Sequence, residues 1–189
     1  MATPNVTGLC PDDRIKSLLQ EMERNGAVGL LDLDAALQAY PDDPRLHFLK
    51  GSMLAAGAEF AGAREEMRRA VQIAPDYGVA RFQLGLLLLS SGDPLPAQEA
   101  LGPLLSLPSD NHLRLFAMGL FALIRDEFEE AAKLLRQGMA CNRENPAMNR
   151  DMQLIIDAMQ GKAGALDGGK PISTVDLLLQ QAAIKASKH

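Results

Sequence analysis

Pro44–Tyr77 reads PRLHFLKGSMLAAGAEFAGAREEMRRAVQIAPDY, and its landmarks return along the chain at a step of 34 residues. Phe48, Phe82 and Phe116 keep that step, as do Gly51, Gly85 and Gly119. Ala63, Ala97 and Ala131 keep it too, and so do Glu59, Asp93 and Glu127, while Pro41 and Pro75 stand one step apart. Self-similarity at a fixed period of this length marks a stack of repeated units, each unable to bury its apolar face alone.

Each unit reads as a pair of helices. Arg45–Ala56 is closed by Gly57, and Phe60–Ala74 places Ala63, Met67, Ala70 and Val71 on one face. The pair recurs as Gly78–Ser91 with Pro94–Leu107, and again as Asp110–Arg125 with Phe128–Cys141. Upstream, Ile15, Leu18, Leu19 and Met22 fall at i, i+3, i+4 and i+7 in Pro11–Arg24, an amphipathic helix ended by Asn25-Gly26. Val28–Tyr40 follows as its partner, and the turn Pro41–Pro44 stops it. Downstream, Ala147–Gln160 is a last helix without a partner, polar on much of its surface as suits a cap. Pro103 interrupts one helix, which is expected to kink or split near Gly102-Pro103.

Composition narrows the function. The net charge of −5, with both signs interspersed, argues against a nucleic-acid footprint. The start of the chain lacks the basic and apolar regions of a secretory signal, and its most apolar run, Leu84–Leu89, is far too short to span a bilayer. The expected address is the cytoplasm, with Cys10 and Cys141 as free thiols. The histidines His47, His112 and His189 lie apart from one another and from both cysteines, so no metal-ligand spacing appears and no cofactor is expected. There is no nucleophile set beside a base, and Gly161-Lys162-Ala163 lacks the hydroxyl and preceding glycines of a phosphate loop. A non-enzymatic role is expected.

The repeats resemble the tetratricopeptide family. Leu84-Gly85 and Met118-Gly119 are similar to that family's Leu-Gly pair, and Lys50-Gly51 keeps the Gly. Ala63/Met67, Ala97/Leu101 and Ala131/Leu135 match its Ala-x3-Phe step, and Pro41 and Pro75 match its closing proline. The aromatic that opens the family's first helix is missing; His47, Arg81 and Leu115 take its place. The resemblance implies an all-α fold, an α-solenoid of stacked antiparallel helix pairs wound as a right-handed superhelix. Its units are 10–43, 44–77, 78–111 and 112–145, with a capping helix at 146–160. Residues 1–9 are expected to be disordered, 161–172 to be a flexible linker, and 173–189 to form a C-terminal amphipathic helix.

The resemblance further implies a non-catalytic protein-binding module whose first helices line a concave groove. The expected groove residues are Phe48, Ser52, Phe82, Gln83, Leu86, Phe116 and Leu120. For the three Phe residues, packing between helices is an equal alternative. Arg14, Leu18, Leu49, Val79 and Gln83 stand where some members clamp a carboxylate with Lys and Asn, so the expected ligand is an apolar helix or peptide instead. Two alternatives stay open: a chaperone-like carrier for a secreted or assembling partner, and an accessory subunit of an enzyme or an uncharacterised enzyme. In the C-terminal segment Val175, Leu178, Leu179 and Ala182 share one helical face, which is expected to dock on the repeats of its own chain or of a second copy.

Overall fold

In this computed structural model, residues 8–24 and 26–163 are described, and every regular element among them is helical. In order these are α1 (Asp12–Arg24), α2 (Gly26–Ala39), α3 (Pro44–Ala56), α4 (Phe60–Ile73), α5 (Gly78–Ser90) and α6 (Pro94–Leu101). A 3-10 helix (Gly102–Ser106), α7 (His112–Ile124), α8 (Phe128–Cys141) and α9 (Pro146–Ala163) follow. Helix α9 runs three residues into the stretch read from sequence as linker. The expected docking residues Val175, Leu178, Leu179 and Ala182 lie outside the described residues.

The chain divides into two compact units, one up to Arg81 and the other from Phe82 onward. In the first, α1 pairs with α2 and α3 with α4. Its core gathers Leu18, Leu33, Ala36, Leu46 and Leu49, with Ile15, Met22 and Phe48 packed at its margin. In the second, α7 pairs with α8, and α9 packs on α8 through a buried row of Met148, Met152, Ile155, Ile156 and Met159.

The recurring glycines sit where the two helices of a pair touch. A Cβ built at Gly51 would lie 3.0 Å from Met67 Cγ, at Gly85 2.5 Å from Leu101 Cγ, and at Gly119 2.7 Å from Leu135 Cδ2. The residue facing each glycine is the large one of the Ala-x3 step, so the glycine is the socket and that side chain fills it. Close approach without a side chain in between is what burial of these faces requires.

The turns between paired helices repeat as closely as the helices do. Glu59 N–H donates to Leu54 O at 2.8 Å, Asp93 N–H to Leu88 O at 3.0 Å, and Glu127 N–H to Ala122 O at 3.0 Å. One residue earlier, Ala58, Gly92 and Asp126 each take a positive φ, of 61°, 84° and 59°. Their N–H groups donate to Ala55 O, Leu89 O and Leu123 O, each at 3.1 Å. Together these are the 6→1 and 5→2 bonds of a Schellman cap, built three times at the same register. Only the middle turn uses the residue type suited to the left-handed conformation.

Helix α6 departs from its counterparts. It ends at Leu101, and the chain continues as the 3-10 turn that contains Pro103. Proline has no N–H for an α-helical bond and its ring crowds the preceding turn, so the second helix of this pair divides. Leu104 on the 3-10 turn is still buried, which keeps the apolar face continuous past the break.

The turn geometry gives a stability prediction. A left-handed conformation costs a non-glycine residue about 1–2 kcal/mol, and glycine returns about 0.4–1 kcal/mol of that as unfolded-chain entropy. Ala58→Gly should therefore stabilise the protein by roughly 0.5–1 kcal/mol, read as a higher denaturant midpoint at unchanged slope.

Candidate functional site

Helix α3 begins in a tightly bonded corner. Asp43, its N-cap, is fully buried, and its carboxylate accepts four bonds. Arg45 N–H donates to Oδ1 at 2.9 Å, Arg45 Nε to Oδ1 at 3.0 Å, Arg45 Nη2 to Oδ2 at 2.7 Å, and Cys10 N–H to Oδ2 at 2.7 Å. Arg45 also donates to Cys10 O at 2.5 Å and to Asp12 Oδ1 at 2.6 Å, tying the start of α1 to the start of α3. Burial alone would raise the Asp43 carboxyl, but the bonds from Arg45 and Cys10 outweigh it and hold the acid below its ordinary value. The adjacent Cys10 thiol is pushed up, first by burial and then by the Asp43 charge.

A second polar network joins three helices of the same unit. Lys50 Nζ lies 2.9 Å from Asp34 Oδ1 and 2.9 Å from Glu66 Oε1, joining α2, α3 and α4. Burial would lower the Lys50 ammonium, but its two carboxylate partners raise it above its ordinary value. The other oxygen of Glu66 lies 2.7 Å from His47 Nδ1, and His47 Nε2 lies 2.9 Å from Pro41 O. The signal for the first corner was present in Asp43-Pro44, an N-cap followed by proline at the first helical position. The second network joins residues from three helices and has no local signal.

The structure separates the expected groove residues into two groups. Phe82, Phe116 and Leu120 are fully buried. The rings of Phe82 and Phe116 are 5.7 Å apart and tilted, and His112 stands edge-on to Phe116 at 5.9 Å. Backbone of α8 seats directly on Phe116, where a Cβ at Gly138 would come within 2.5 Å of the ring. These two Phe residues therefore pack between helices, the alternative to a groove position. Phe48, Ser52, Gln83 and Leu86 are half-buried. Phe48 rests against Tyr77 at 5.4 Å, and Ser52 Oγ donates to Phe48 O at 2.9 Å, its own preceding turn. Of the carboxylate-clamp places, Leu18 and Leu49 are buried in the first unit's core.

The family model for the tetratricopeptide repeat matches residues 24–78, the stretch that contains Asp43, Arg45 and the network around Lys50. Over those residues the chain is similar to a tetratricopeptide repeat. A solved structure, MamA 41-end from Desulfovibrio magneticus RS-1, has the same fold at a TM-score of 0.58 and 13% identity, covering 94% of this chain and 91% of that one. No curated protein matches the sequence. Among the described residues no group of three or more His, Cys, Asp or Glu is placed to hold a metal ion, and no helix is long and apolar enough to cross a membrane.

Stacked-repeat proteins present extended surfaces rather than closed pockets. Phe48 and Ser52 on α3, and Gln83 and Leu86 on α5, are uncharged and keep partial access to solvent, as do the ionisable Arg45, His47 and Lys50 on α3. Phe48 and Leu86 can bury apolar groups, and Gln83 can offer a hydrogen bond.

Two outcomes follow. Phe82→Asp should unfold or severely weaken the second unit: losing a buried Phe side chain alone costs about 3–5 kcal/mol, before any penalty for the buried charge. Thermal denaturation with helical circular dichroism measures it. For Asp43 the depressed acid means that its contribution to stability is present above the unfolded value near pH 4 and is lost as pH falls through the lower folded value. Asp43→Ala should cost about 3 kcal/mol at pH 7, the low end for breaking a buried pair because Arg45 keeps some contact with water. The gap to wild type should narrow at pH 3, as followed by urea titration.

Proposed function

We propose that this chain is a non-catalytic protein-binding module that takes an apolar helix of a partner along the first-helix face of its repeats. The tetratricopeptide match is the observation that carries the reading, since repeats of this kind expose extended concave surfaces that serve as binding sites. The uncharged character of Phe48, Ser52, Gln83 and Leu86 supports an apolar ligand over an acidic one. Helix-in-groove recognition would use anchors at i, i+3, i+4 and i+7 on the ligand.

The C-terminal segment carries such a face. Val175, Leu178, Leu179 and Ala182 have helical spacing, and the segment is joined to α9 by a short Gly-containing stretch. In this reading it is a built-in competitor for the same face, displaced when a partner helix arrives. A tether of this length supplies an effective concentration in about the mM range.

A synthetic peptide of residues 173–189 tests both parts against a chain shortened to end at Ile172. The peptide should bind saturably, with a dissociation constant of about 1 mM or tighter, and Leu86→Asp should weaken it at least about tenfold while leaving the helical spectrum unchanged. Removal of 173–189 should also strengthen capture of the partner from native extract. Failure of the peptide to bind, with partner capture still lost in Leu86→Asp, would remove the tail and keep the groove. Partner capture that is insensitive to Leu86→Asp would remove the groove.

A further inference from the structure

Tyr77 is the last residue before α5 and belongs to the first unit. Its ring lies 5.4 Å from the ring of Phe48 at a tilt of 52°, so two half-buried aromatics form one apolar shelf beside α3. The backbone N–H of Tyr77 is bonded to Ala74 O. Its hydroxyl has no hydrogen-bond partner among the described residues and stays open to water. A tyrosine packed through its ring ordinarily finds such a partner. Burial holds the phenol above its ordinary value, with Arg45 and Asp43 acting on it in opposite senses, so it remains an O–H donor at neutral pH.

The shelf therefore borders the corner where α1 and α3 begin. Arg45 commits Nε, both N–H groups of Nη2 and one of Nη1 to Asp43, Cys10 and Asp12. A guanidinium has five N–H groups, so one on Nη1 is left without an acceptor, and 29% of the side chain stays exposed. Asp12 and Asp13 open α1, and the Asp12 side chain is 82% exposed. The corner thus offers an aromatic shelf, two free donors and two acids.

That combination suits one end of a helix. The last turn has carbonyls without N–H partners and favours Lys or Arg. The first turn has free N–H groups and favours acids, and would set donor against donor and acid against acid. In a chain of net charge −5, residues 164–189 carry Lys170, Lys185 and Lys188 against Asp167 and Asp176, and two of those lysines close the segment. Building on the reading of 173–189 as a helix that docks on the repeats, we propose that Tyr77 sets its polarity. The C-terminal turn of the segment lies on the Phe48–Tyr77 shelf, its free carbonyls take Tyr77 Oη–H and Arg45 Nη1–H, and Lys185 and Lys188 lie beside Asp12 and Asp13. A partner helix that displaces the segment has the same polarity, apolar along one face and basic in its last turn.

The full chain carrying Cys141→Ser, with a nitroxide on Ser187→Cys or on Ser173→Cys, tests this; Cys10 is buried and takes no label. The label at 187 should broaden the NMR signals of the Tyr77 ring far more than the label at 173. The chain has two tyrosines, and Tyr77→Phe tells its signals from those of Tyr40. Tyr77→Phe keeps the ring and removes the hydroxyl. It should raise the ratio of mobile to immobile nitroxide at 187 by about threefold or more, as for loss of one hydrogen bond. Stronger broadening from 173 would overturn the polarity, and an unchanged mobile ratio in Tyr77→Phe would overturn the role of the hydroxyl. A tail that is immobile and freed by Leu86→Asp, yet broadens Tyr77 from neither label, would remove the Tyr77 contact and keep the docking. A tail mobile with both labels would remove both.

Discussion

Everything in this fold rests on one contact made repeatedly: a glycine on the first helix of a pair receives a large apolar side chain from the second. Gly51 receives Met67, Gly85 receives Leu101, and Gly119 receives Leu135. The helices must cross closely for those side chains to leave water, and burial of such a side chain is worth about 1.5–3 kcal/mol. The caps at Ala58, Gly92 and Asp126 then return the chain at the one angle that brings the side chain to its socket. Packing and turn are two expressions of a single register.

The fold was largely legible because that register is written in residue types. A small residue at Gly51, an Ala at Ala63 and a closing Pro75 are each weak signals, but three copies in step are strong. The break at Pro103 was legible for the same reason, since a missing N–H is a local fact. The left-handed turns were not, because Ala58 and Asp126 do not advertise a positive φ as Gly92 does. Tertiary bonding imposes that conformation on residues that would not choose it.

The candidate site was legible only in part. Helical spacing places Phe48, Phe82 and Phe116 on equivalent positions but does not say what lies opposite. Gly138 decides the matter for Phe116, since its bare backbone lets α8 sit on the ring. That pairing joins residues on different helices and no periodicity announces it. Asp43-Pro44 signals a helix cap, but the burial of Asp43 is hidden until Cys10 and Arg45 are seen to converge on it.

The repeated socket also sets a rule for how such a chain can change in length. Between Gly51 and Met67 the spacing must bring one residue to face another, and α-helices advance about 100° per residue. Losing or gaining one residue within α4 before Met67 would swing that side chain a quarter-turn or more off its glycine and carry Ala63 or Ala70 out of phase with it. Loss or gain is tolerable in whole turns of the pattern, so lineages of this protein can duplicate or shed a complete 34-residue frame far more readily than they can absorb a single-codon slip inside one.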